Sequence, residues 1–145
     1  MSNKEESKVW SEFVCVKQSS IATSEIGNFD GAFATKDFKE GELIERGVMR
    51  RLPMGFDGHK CEEVFTWSDE RPNKTWAMGS GCAPYYNTTS KDRENTHMVR
   101  YFDENRFEIF AKKDIKAGDE LFHTYISLEW RECFAGIDKI VNNKD

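Results

Sequence analysis

The sequence predicts a single, mostly β domain closed by a C-terminal helix. Three features predict it: short runs of aromatic and β-branched residues, a strand–turn–strand pattern that occurs twice, and an amphipathic tail. The chain has 145 residues, of which 38% are hydrophobic, so it has the length of one domain and enough apolar surface for a core rather than for disorder.

Residues 1–9 are polar and read as a flexible tail without an apolar signal core. Trp10 to Val16 (W-S-E-F-V-C-V) favours a strand, and Ser19 to Asp30, rich in Ser, Thr, Gly, Asn and Asp, favours a loop. Next, Phe33-Ala34-Thr35-Lys36-Asp37-Phe38-Lys39-Glu40-Gly41-Glu42-Leu43 returns as Phe110-Ala111-Lys112-Lys113-Asp114-Ile115-Lys116-Ala117-Gly118-Asp119-Glu120-Leu121. Each copy sets a strand end before a glycine turn and a second strand, the glycine supplying the positive φ that a tight reversal commonly needs. Two copies are too few for a solenoid, so they predict two similar corners of one domain.

Glu42 to Met49 reads as a strand. Residues 53–80 read as a variable insert, with one short helical possibility at Glu62 to Trp67. His97 to Phe102 and Arg106 to Ala111 read as a hairpin turning at Asp103-Glu104-Asn105, with Phe107, Ile109 and Ala111 on one face. A helix is predicted over 127–142: Ser127 can cap it, Glu129 and Glu132 suit its first turns, and Trp130, Phe134, Ile137 and Val141 form an apolar stripe.

The net charge of −5 argues against sequence-independent nucleic-acid binding, which needs a cationic field, and suits a basic partner such as a lysine-rich peptide. No apolar run is long enough to span a bilayer, so a soluble, intracellular protein is expected. The cysteines at 15, 61, 82 and 133 form neither a paired metal knuckle nor a dense disulfide framework, and reduced thiols are the default. His59 with Cys61, lacking a second paired element, is poor support for zinc.

Four segments, in order, resemble the SET domain of protein lysine methyltransferases. They are Gly31-Ala32-Phe33-Ala34 with Lys39-Glu40-Gly41-Glu42-Leu43-Ile44-Glu45; Gly81-Cys82-Ala83-Pro84-Tyr85-Tyr86-Asn87; Ile109 to Leu121; and Tyr125, four residues beyond Leu121. Together they make residues 10–136 similar to a minimal, stand-alone SET domain of viral or bacterial type. The resemblance implies a β-clip-like fold with a pseudoknot-like crossing, S-adenosylmethionine as cofactor and a protein lysine as methyl acceptor. It implies Tyr125 as the catalytic hydroxyl, and Asp30, Gly31, Ala32, Tyr86, Asn87 and Trp130 around the cofactor. A substrate channel would involve Tyr85 and His123, the latter sharing a strand face with Tyr125.

From the residues alone, Tyr85 and Tyr86 also suit a core, His123 a core or surface site, and Trp130 simple packing. The chain departs from the family pattern at Thr88, where a histidine is usual, at Phe29, where a glycine is usual, and at Thr124. A SET-fold module that binds cofactor or protein without turnover is therefore the alternative reading. The resemblance leaves a homodimer open.

Overall fold

A computed structural model of the protein describes residues 6–22, 29–58, 64–68, 75–88 and 93–123. The helix expected over 127–142, Tyr125 and Trp130 lie outside these residues, as do His59 and Cys61. The described part is mostly β, as the alternating patterns lead one to expect. Strands β1 (Val14–Gln18) and β2 (Asp30–Ala34) form one antiparallel pair. A second sheet takes β3 (Leu43–Arg51), β4 (Val64–Thr66), β5 (Trp76–Gly79), β6 (Thr96–Tyr101) and β7 (Arg106–Ala111) in the order β4-β5-β3-β7-β6.

The β6–β7 hairpin follows the sequence pattern closely. Phe107, Ile109 and Ala111 are all buried while Arg106, Glu108 and Phe110 are half-buried, the period-two signature of a strand with one face on the core. Asn105 adopts φ +50° at the turn, one of the few non-glycine residues that tolerate a left-handed conformation. Leu121, Ile44, Phe38, Ile115 and Trp67 pack with that face in one core.

Two expected elements form differently. Trp10 is not part of the first strand; it exchanges two backbone hydrogen bonds of 3.0 Å with Arg46 on β3, and a turn from Ser11 to Val14 separates it from β1. Within the expected helical turn at 62–67, Val64–Thr66 is a strand, because β5 offers it a ladder at Val64↔Met78, Phe65↔Ala77 and Thr66↔Trp76. Cross-strand pairing outweighs the weak helical preference of such a short run.

The two copies of the repeated pattern pair with each other. Phe38 and Ile115 exchange hydrogen bonds of 2.8 Å in both directions. Gly41 donates its N–H to Ala111 as Gly118 does to Ala34, both at 2.8 Å, and Ala34 donates to Asp119 as Ala111 does to Glu42, both at 2.9 Å. Side chains repeat the exchange: Asp37 accepts from the Ala117 N–H and Asp114 from the Glu40 N–H, each at 2.9 Å. The similar corners are thus halves of a local two-fold arrangement.

Gly41 (φ +87°) and Gly118 (φ +96°) face open space, so only backbone conformation demands glycine there. Alanine at either position should destabilise the protein by about 1–2 kcal/mol, and by similar amounts at both. Urea denaturation of the two variants checks this; an unchanged midpoint for either would show that the corner does not depend on positive φ.

Candidate functional site

The stretch Glu120–His123, which leaves the second corner, runs between two groups of partners. On one side Leu121 donates its N–H to the Ala32 carbonyl at 2.8 Å, and Glu120 forms a bridge with Phe33 on β2. On the other side the Phe122 carbonyl accepts from the N–H groups of Asn95 (3.2 Å) and Thr96 (3.1 Å) and from Thr96 Oγ1 (2.9 Å). Asn95 completes the grip: its Oδ1 accepts from the Phe122 N–H at 2.8 Å and its Nδ2 donates to the Glu120 carbonyl at 2.9 Å. His123 then donates its N–H to the Asn87 carbonyl at 3.1 Å, beside a parallel bridge between Asn87 and Phe122. Segments remote in sequence therefore meet at one crossing.

At that crossing Gly31, Asn87 and Glu120 converge. Asn87 Nδ2 donates to the Asp30 carbonyl at 3.0 Å and to Glu120 Oε2 at 3.3 Å. Glu120, only 6% exposed, also accepts from Ser19 Oγ (2.6 Å), from the Ser20 N–H (2.7 Å) and from Ser20 Oγ (2.5 Å). A Cβ on Gly31 would strike Glu120 Oε2 and lie 3.0 Å from Asn87 Nδ2. Glycine at 31 is thus demanded by the carboxylate that fills the space of a side chain, a reason different from the close cofactor approach expected of it.

Behind the crossing lies a second buried carboxylate. Glu45 on β3 is fully buried and accepts from the Tyr86 hydroxyl and from the Cys82 N–H, both at 2.8 Å. Loss of solvent pushes its carboxyl up to about 7 despite those two donors. Tyr86 is buried completely, and burial, then the neighbouring Glu45, raises its phenol well above the ordinary value. Its ring lies 6.3 Å from that of His123, which burial and then the charge of Arg100 hold down at about 3. His123 is therefore neutral across the physiological range.

Of the residues singled out from the sequence, Asp30, Gly31, Ala32 and Asn87 stand together at the crossing, with Ala32 buried and bonded through its carbonyl. The Tyr86 ring is a core element with its hydroxyl on Glu45, and it offers a ligand no exposed surface. Tyr85, 42% exposed, faces outward, whereas the His123 side chain is buried beside Tyr86. Thr88, in place of the usual histidine, is buried. Among the described residues no three His, Cys, Asp or Glu side chains gather in a metal-binding group. Glu120, Ser19, Ser20 and Glu45 were not foreseen. The only sequence signals for the carboxylates are their places in the glycine-led runs Gly118-Asp119-Glu120-Leu121 and Gly41-Glu42-Leu43-Ile44-Glu45.

The Asn87 amide has a useful polarity. Its nitrogen faces two acceptors, so its Oδ1, which has no partner among the described residues, is left as an acceptor for a ligand. Together with the exposed edge at Asp30, this fits a compact ligand bearing an N–H donor.

A SET domain family profile matches residues 30–126, more than half of the chain. No curated protein matches by sequence. Among solved structures, a Plasmodium falciparum protein assigned as a histone methyltransferase superposes with a TM-score of 0.60 at 16% identity, covering 83% of this chain and 99% of that one. A chain of the Chaetomium thermophilum polycomb repressive complex 2 gives 0.59 at 24% identity over 80% of this chain and 15% of that one. The same complex in an autoinhibited conformation, bound to S-adenosylmethionine, gives 0.60 at 23% identity over 92% and 17%. The chain thus spans less than a fifth of the polycomb chains, and at these identities the likeness is one of fold.

The two buried titrating groups have opposite signs. Glu45 protonates more readily folded than unfolded, so its contribution is complete below pH 4.5 and is lost as pH rises through about 7. His123 resists protonation when folded, so its contribution is present above pH 6.5 and is lost as pH falls towards about 3. Denaturant titrations should therefore find Glu45→Gln gaining on the parent between about pH 5 and about pH 8, and His123→Gln flattening the acid arm. Parallel pH profiles for parent and variants would contradict both assignments.

Proposed function

The chain belongs to the SET-domain family, and from that premise we propose that it transfers a methyl group from S-adenosylmethionine to a lysine side chain of a protein substrate. The observation that carries the reading is the meeting of Gly31, Asn87 and the Glu120–His123 stretch at one crossing inside the matched region. Fold likeness to a chain of a complex bound to S-adenosylmethionine supports the choice of cofactor.

S-adenosylmethionine supplies an electrophilic methyl on a sulfonium, and the protein's task is to bring a neutral amine in line with it. A free lysine has a pKa of about 10.4, so its ammonium must be desolvated, and a neighbouring positive charge favours the neutral form further. Alignment then needs no further strong base, only rigid positioning. In this reading Asn87 and the Asp30–Ala32 segment bind the cofactor, Trp130 walls the site, and the Tyr125 hydroxyl orients amine and methyl. Tyr85, exposed beside Asn87, suits the mouth of the lysine channel. His123 contributes from behind, its N–H on the Asn87 carbonyl fixing the backbone at a point two residues before Tyr125 in sequence. The net charge of −5 favours a basic substrate segment, and histone tails fit that description. Direct nucleic-acid or membrane binding forms no part of the reading. Among the described residues no helix is long and apolar enough to cross a membrane. A homodimer is compatible with it.

Calorimetry with S-adenosylmethionine should show saturable binding, and labelled methyl groups should reach lysines of core histones or another basic protein. Tyr125→Phe should lower transfer by about 100-fold or more, with cofactor affinity unchanged within about threefold. No heat at millimolar ligand would overturn the reading. Cofactor binding without transfer to any basic protein or to the chain itself would instead establish the alternative, a binding module.

A further inference from the structure

Resting on the function proposed above, we propose that Glu120 is a positioning residue of the cofactor site, which acts by fixing the end of the Asn87 amide that a ligand meets. Its carboxylate gathers four donors from two segments: Ser19 Oγ, the Ser20 N–H and Oγ, and Asn87 Nδ2. Such a group is acceptor-only, and charge-assisted bonds of this type are the strong ones. Asn87 Nδ2 is held between two acceptors, the Asp30 carbonyl and Glu120 Oε2. Turning the amide over would set its oxygen against both. The nitrogen therefore stays inward and Oδ1 is presented as the acceptor, the polarity that an amino group of S-adenosylmethionine requires.

The same carboxylate fixes the mouth of the segment that leads to the cofactor strand. Ser19 and Ser20 follow β1, and the Ser19 N–H donates to the Phe29 carbonyl at 2.9 Å, one residue before β2. Gly31 leaves the room that Glu120 occupies. A glutamine at 120 would keep the shape but place an NH2 among donors. The Asn87 amide then faces a donor on one side and the Asp30 carbonyl on the other, so neither orientation satisfies both and the end that the ligand meets is no longer fixed.

The test uses the full chain and four forms: parent, Glu120→Gln, Asn87→Ala and the double variant. Calorimetry with S-adenosylmethionine should find Glu120→Gln at least about tenfold weaker, the size expected when a hydrogen bond to a charged group is lost. KM for the cofactor should rise in step, with kcat at saturation within about threefold. In the Asn87→Ala background the same substitution should add less than about threefold, because the group it acts through is gone. Exchange of the Asn87 side-chain amide protons, followed by NMR without cofactor, should be slow in the parent and faster in Glu120→Gln. Equal losses in both backgrounds, or unchanged affinity in Glu120→Gln, would overturn the proposal while leaving the enzyme reading intact. A parent that binds no cofactor, yet shows the exchange difference, would overturn the function and this role together. Should Glu120→Gln fail to fold, Ser20→Ala, at the exposed rim of the cluster, should lower cofactor affinity about threefold. An unchanged affinity there would count against the proposal equally.

Discussion

A buried backbone must satisfy its hydrogen bonds, and the stretch from Glu120 to His123 has no single neighbour that could do so. It takes partners from β2 on one side and from residues 87, 95 and 96 on the other, with the Asn95 side chain supplying both a donor and an acceptor. That requirement draws four distant parts of the chain to one place. The proposed site is a consequence of it: Gly31 and Asn87 are neighbours because both flank a segment whose polar groups must be paired.

The reciprocal corners feed this crossing. Glu120 immediately follows the second corner and β2 immediately precedes the first, so the bonds between Phe38 and Ile115 and between Ala34 and Gly118 set the level at which β2 and the Glu120–His123 stretch meet. Pairing of this kind joins the early and late parts of the sequence and is dominated by non-local contacts. Folds of that type close slowly, since chain entropy is lost before the contacts return it.

Much of the scaffold was legible in the chain. The alternation from Arg106 to Ala111 locates a half-buried strand, and the glycines at 41 and 118 locate two turns, because side-chain period and positive φ are local properties. Strand pairing is not local, which is why Val64–Thr66 read as a helical turn until β5 supplied its partner. The meeting of Gly31 with Asn87 came from family resemblance and could not have come from spacing. Glu120 escaped notice because Asp119-Glu120 after a glycine looks like a solvated acidic turn; only Asp119 behaves so, while its neighbour turns inward to two serines and an asparagine. Tyr86 reads equally well as a ligand contact or a core ring until Glu45 is found waiting for its hydroxyl.

The space shared by Gly31 and Glu120 ties two positions together in any collection of variants. A methyl at 31 collides with a carboxylate that three other residues hold in place, so it is tolerated only where position 120 has already yielded the volume. The coupling is one-sided: position 31 cannot gain a side chain until position 120 has shrunk, so a library that randomises 31 singly will record it as immutable while missing the pairs that work.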